Sequence, residues 1–297
     1  MRIFLIALLL LSNLAVADDE TLPPLSPIDK ARTHLHEALE DGNPDTRKQA
    51  VQALGLIGPR QPYLGQLIDM LEDKDVEVRI AAISSMVDIK SPEVIAPLRK
   101  ALEDDVPEVS FSAAKALWVL NDPAGREALL LVFEGESKMN SNYLSRKTRE
   151  SLRMFRTPKR LMMFVFRKGA GSVGVPGLGR GLSSLEGMLI DGELTGRAGT
   201  ALLLSNDNDP RVVAALREGL SDKTWTVRAA SAHAIAVQNN IALQADLIPL
   251  LDDKKEAVRV RASAAYLRLE LIRSENIKIE KTLKMKRKSK KQKAAEE

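Results

Sequence analysis

Few residues in this sequence could do bond-making chemistry, and their spacing does not favour it. There are three histidines and no cysteine. His34 and His36 stand two apart, about 200° around a helix, so they cannot hold one metal from a single face. His233 sits in a late helical segment and reads as a packing or surface residue. Without cysteine there are no disulfides, thiolate zinc sites, iron–sulfur clusters or thiol nucleophiles. Neither H-E-x-x-H nor G-x-S-x-G occurs. No catalytic residue, metal site or cofactor is therefore assigned, and the expectation is a protein that is not an enzyme.

One motif has to be weighed against that expectation. Gly169, Gly171 and Gly174 form a G-x-G-x-x-G after an apolar run. A dinucleotide site needs a strand before the motif and a helix opening within it. Pro176, Gly177, Gly179 and Gly181 follow and spoil the helix. The segment 168–182 reads instead as a Gly-rich surface insertion whose Val173, Val175 and Leu178 could dock on a partner. An enzyme with an unrecognised site near this insertion stays open as an alternative.

Charge is segregated around the insertion. Residues 137–182 hold eleven basic side chains and one acid, Glu150. Arg146, Arg149, Arg153, Arg156 and Arg160 recur at spacings of three and four, which places them on one face of a continuous helix; Pro158 interrupts that run. Lys168 and Arg180 border the insertion. A nearly pure cationic stripe repels itself and calls for an anionic counterpart. These seven residues are the candidate binding site.

The elements that would position them follow from a repeat. Leu39, Leu71, Leu102, Leu189, Leu220 and Leu251 are separated by 32, 31, 87, 31 and 31 residues. Asp41, Asp73, Asp104, Asp191, Asp222 and Asp253 follow two residues later. Arg47, Arg79, Ser110, Arg197, Arg228 and Arg259 form a further column. A small residue comes three places on (Ala50, Ala82, Ala113, Thr200, Ser231, Ala262). A large apolar one comes seven on (Leu54, Met86, Leu117, Leu204, Ile235, Tyr266). Each unit reads as a first helix ending at the leucine, a turn carrying the aspartate, and a second helix with apolar residues at helical spacing. The Arg column lies at the wrong end of its helix for the helix dipole. Arg47, Arg79, Arg197, Arg228 and Arg259 are therefore expected to pair with aspartates of adjacent turns in a structural ladder. A degenerate unit is recovered from a first helix over 126–133 and a second over 143–155, with an insertion at 135–142.

These columns resemble the HEAT-repeat superfamily, in particular the short HEAT-like repeats of the phycobilisome-lyase type. The segments 71–86, 220–235 and 251–267 carry the resemblance. It implies an all-α solenoid of helical hairpins, a right-handed superhelix of about seven repeats with a degenerate centre and a concave face. Protein binding is the family's usual role, and no lyase residue can be mapped.

The ends complete the organisation. Met1-Arg2, an apolar run over 3–11 and Ala15-Val16-Ala17 read as a signal peptide over 1–17. Its apolar run is short of the roughly 20 residues a membrane span needs. An acidic, Pro-containing linker over 18–27 precedes a repeat domain over 28–277. A Lys-rich tail over 278–297 carries nine basic and three acidic residues and is expected to fray into disordered chain. The chain of 297 residues has a net charge of +4, 44% hydrophobic residues and eleven aromatics in all, too few for a base-stacking platform. Nucleic acid is disfavoured as a partner. The functional expectation is an exported, periplasmic or secreted scaffold that mediates protein–protein interaction through an unidentified protein partner. The alternative is peripheral binding to a membrane or an anionic envelope polymer.

Overall fold

The computed structural model describes residues 25–139 and 196–296, with side chains over 25–133 and 196–287. The signal peptide and most of the linker lie outside these residues, as do the cationic stripe, the Gly-rich insertion and the 143–155 helix. All regular structure among the described residues is helical.

Seven helices precede the central gap: α1 Pro27–Glu40, α2 Pro44–Ile57, α3 Tyr63–Asp69, α4 Val76–Ile89, α5 Ile95–Ala101, α6 Pro107–Val119 and α7 Pro123–Met139. After it come α8 Gly196–Leu203, α9 Pro210–Gly219, α10 Trp225–Val237 and α11 Glu256–Glu296. Local chemistry sets the starts. Ser26, Asn43, Asp75 and Asp209 each accept a backbone N–H of the following turn, and prolines open α1, α2, α6 and α9 where no amide donor is needed.

Three details differ from expectation. The insertion placed at 135–142 is helical as far as Met139, because α7 continues through Gly135. The first helix of the last repeat is a 3₁₀ segment, Ala245–Asp252, since Pro249 removes a helical donor. The Lys-rich tail does not fray: α11 runs unbroken to Glu296. At 1.5 Å per residue it is about 60 Å long, and residues 276–287 stand exposed beyond the body.

The second helices form the interior. Ala50, Ala82, Ala113, Ser231 and Ala262 are at most 1% exposed, and Leu54, Met86, Leu117 and Ile235 are buried with them. Small residues let the helices approach closely. At Gly55 an added Cβ would lie 2.8 Å from the Ser85 Cβ across the α2–α4 contact. Thr200 departs from its column and is exposed on α8.

Spatial order is not chain order. α8 packs on α10, α10 on α11, α11 on α2, α2 on α4 and α4 on α6. The last repeat thus stacks against the outer side of the first, and the C-terminal repeats precede the N-terminal ones in a single row. The junction between α11 and α1/α2 is a seam inside the stack.

Gly125 tests the close packing of α7 on α6. A Cβ there would sit 2.2 Å from the Trp118 backbone nitrogen, which no rotamer change can relieve. Gly125→Ala is expected to lower unfolding stability by about 1–3 kcal/mol in urea titrations.

Candidate functional site: ladder, seam and inner face

Asp73, Asp104, Asp222 and Asp253 work through both carboxylate oxygens. Asp41, Asp73, Asp104, Asp222 and Asp253 each accept the N–H two residues on, at 2.6–2.9 Å. They shape the turn that presents the capping residue rather than capping the second helix themselves. The column arginines then bridge repeats. Arg47 donates through Nε and Nη2 to both oxygens of Asp73, at 2.8 and 2.9 Å. Arg228 does the same to Asp253, at 2.6 and 2.8 Å. Arg79 approaches Asp104 at 3.0 Å and Arg197 approaches Asp222 at 2.6 Å. The remaining Nη1 of Arg47, Arg79, Arg228 and Arg259 donates back to the carbonyl of the aspartate in its own repeat, at 2.7–2.8 Å. Asp191 lies outside the described residues. Ser110 holds the arginine column in the third repeat, and its hydroxyl donates to the Leu102 carbonyl at 2.7 Å. There the next junction is made by Arg99 on Asp122.

Burial alone would raise the Asp73 and Asp253 carboxyls. The Arg47 and Arg228 guanidinium groups, with the N–H of Asp75 and Lys255, outweigh it and hold both below the usual carboxylate range. Their contribution is therefore complete at neutral pH and is lost as acid protonates them through these lowered values.

The seam is built differently. Arg268 donates through Nη1 to the Leu56 carbonyl at the end of α2, at 2.6 Å. Its Nε meets the Ala236 carbonyl at 2.9 Å and Asn239 Oδ1 at 3.0 Å near the end of α10. One guanidinium thus serves two helix C-termini, where a cation is favoured. Arg60 makes a two-pronged pair with Glu275, at 2.8 and 3.1 Å. Lys30 pairs with Asp252, Thr46 donates to Glu256 at 3.4 Å, and His34 Nδ1 faces Ser263 Oγ at 3.3 Å. Burial first, then Arg259 and Lys30, lowers the His34 pKa.

Next to the seam, Arg261 of α11 is 4% exposed. Its Nη1 lies 3.4 Å from His233 Nδ1 and 3.5 Å from the Gln52 carbonyl. Burial and the Arg261 and Arg268 charges depress the His233 pKa to about 3. His233 is thus a neutral acceptor for a buried guanidinium. Gln52 also borders a small groove of about 100 Å³ on the inner face of α2 and α4, with Lys48, Glu77, Ser84 and Ser85.

The candidate binding residues Arg146, Arg149, Arg153, Arg156, Arg160, Lys168 and Arg180 lie outside the described residues. His34 and His36 share α1, and His36 lies 3.6 Å from Glu40 at the surface. Among the described residues no group of three or more His, Asp or Glu is placed to hold a metal. The seam was missed by sequence reasoning, although a trace of it was present. Arg261 stands where the other repeats carry Gln49, Ala81, Ser112, Gly199 and Ala230. Arg268 stands where they carry Leu56, Asp88, Val119, Asn206 and Val237.

Two outcomes follow. Asp73→Ala strands a buried guanidinium and should cost about 3–5 kcal/mol in chemical denaturation, whereas Glu72→Ala, which removes an exposed partner of Lys100, should leave the midpoint unchanged. His233 gains no proton in the folded state until about pH 3, while the unfolded chain takes one up near pH 6.5. Stability should therefore fall by about 2 kcal/mol between pH 7.5 and 5 from this group alone, and His233→Gln should remove that part of the slope.

Residues 30–130 match the family model described as HEAT repeats. No curated protein matches the chain. Among solved structures, the complex of CpcE and CpcF of phycocyanin lyase from Nostoc sp. PCC7120 is similar at 16% identity and a TM-score of 0.31, over 84% of this chain and 97% of that one. Human deoxyhypusine hydroxylase is similar at 22% identity and a TM-score of 0.27, over 80% of this chain and 83% of that one. With its paired helices, turn aspartates and column arginines, the described part of the chain is an all-α helical solenoid, and residues 30–130 of it match HEAT repeats.

Proposed function

We propose that the protein is an exported, non-enzymatic scaffold that binds another protein, using the cationic segment centred on Arg146, Arg149, Arg153, Arg156 and Arg160. The observation that carries this reading is the pairing of a stacked repeat array with that segregated charge. Residues 137–182 hold a net +10 and residues 278–297 a net +6. Apart from Arg2 in the leader, the rest of the chain sums to −13, so the repeats present an acidic body with two cationic regions. Such a surface favours a partner with acidic patches and steers its approach. The segment 1–17 supports export, with cleavage near Ala17.

A second reading has its own support. Beyond the body, α11 exposes Ile277, Ile279, Leu283 and Met285 among Lys278, Lys281, Lys284, Lys286 and Arg287. Apolar and cationic side chains alternating on one exposed helix suit an anionic lipid or polymer surface, at about 1 kcal/mol per basic group near a charged membrane. No described helix is long and apolar enough to cross a bilayer.

Affinity capture from envelope extracts separates the two readings. The mature protein should retain a stoichiometric protein that a variant with the five central arginines changed to Gln loses. Salt-sensitive binding to anionic vesicles, with no protein captured, would move the assignment to the second reading.

A further inference from the structure

We propose that the seam is a dedicated recognition interface between two modules, residues 25–139 and 196–296, each of which is the other's binding partner. Three observations support this. First, the consecutive junctions α2–α4, α4–α6, α8–α10 and α10–α11 share one bond type, an arginine of one repeat on the turn aspartate of the next. The seam lacks it. Arg259 holds the column position and reaches its own Asp253 carbonyl, yet among the described residues no ion pair joins it to Asp41, the turn acid of the repeat it abuts. Asp41 keeps only the N–H that every described turn acid takes, here from Asn43.

Second, the contacts that replace the ladder are particular to these two surfaces. Arg268 and Arg261 reach carbonyls of α2, Arg60 clamps Glu275, and Lys30 meets Asp252. The two arginines of α11 have no counterpart in any other repeat, so another repeat stacked on α2 could not reproduce these bonds. That is specificity by a distinct polar code rather than by the repeat consensus.

Third, the seam joins parts of the chain that are remote from each other: among the described residues, the partners in each of these contacts are 209 to 229 residues apart in sequence. Apolar residues line the helices that meet there: α1 and α2 both pack on α11, and Ala31, Leu35, Val258 and Ala262 on α1 and α11 are at most 2% exposed. The interface therefore has a hydrophobic centre with a rim of charge pairs, the anatomy of an association surface.

The test uses the full-length protein. Arg60→Glu faces Glu275 with a like charge at the rim, and Arg60→Glu with Arg268→Ala also removes the bridge to Leu56. Both should retain helical circular dichroism while the radius of gyration from small-angle scattering increases, with the double variant the larger. Adding Glu275→Arg to Arg60→Glu should return the radius to that of the parent. Two results would overturn the proposal. One is loss of helicity together with compactness in a single transition, which would make the seam the core of one folding unit. The other is an unchanged radius in both variants at low salt, which would make the polar bonds incidental.

Discussion

At Asp73, Asp104, Asp222 and Asp253 one turn carboxylate carries two structural tasks. Its first oxygen takes the backbone N–H two residues on, as Asp73 does from Asp75, and so fixes the angle between the two helices of a repeat. The carboxylate then receives the guanidinium of the preceding repeat, and so fixes the step to the neighbour. The arginine returns the constraint by donating to the carbonyl of its own turn. Hairpin geometry and stacking geometry are therefore coupled through a single ion pair. A unit of about 31 residues buries little by itself, so without that coupling the stack would have close-packed alanines but weak register.

Much of this was legible from residue spacing. The leucine, aspartate and arginine columns locate the turns, and the alanine column locates the faces that approach each other. Arg47 and Asp73 could be paired on paper because a cation near a helix start needs an anion from elsewhere. The tail was harder. Lys284, Lys286, Arg287 and their neighbours repel one another and resemble solvated coil, but a helix already established by the packing of residues 256–269 need only be extended, and cations at its C-terminal end are favoured by the dipole. Gly135 does not end α7, because the helical pattern around it carries the helix on to Met139.

The seam was illegible for a different reason. Periodicity describes how a repeat meets its sequence neighbour and says nothing of which repeats meet at the ends. The information lay in departures from the consensus. Arg261 and Arg268 replace shorter side chains on an inward face, and each needs a carbonyl from a helix far away in sequence. His233 belongs with them: it is buried as expected of a packing residue, but its role is to accept from Arg261 while remaining uncharged. The central arginines remain the candidate for partner binding on sequence grounds, and the ladder and seam bear on how the body that carries them is assembled.

Because the last repeat abuts the first, the stack is finished only once the last repeat has been made. Solenoids usually gain stability one neighbour at a time, with contacts that are local in sequence. Among the described residues, the flank of α1 and α2 at the seam is covered by α11, which carries Arg261, Arg268 and Glu275. The seam contacts of the N-terminal repeats must wait for a segment more than two hundred residues later. Closing so long a loop is entropically slow. A surface made early in the nascent chain is thus covered late, and that flank is one a holdase would have reason to shield.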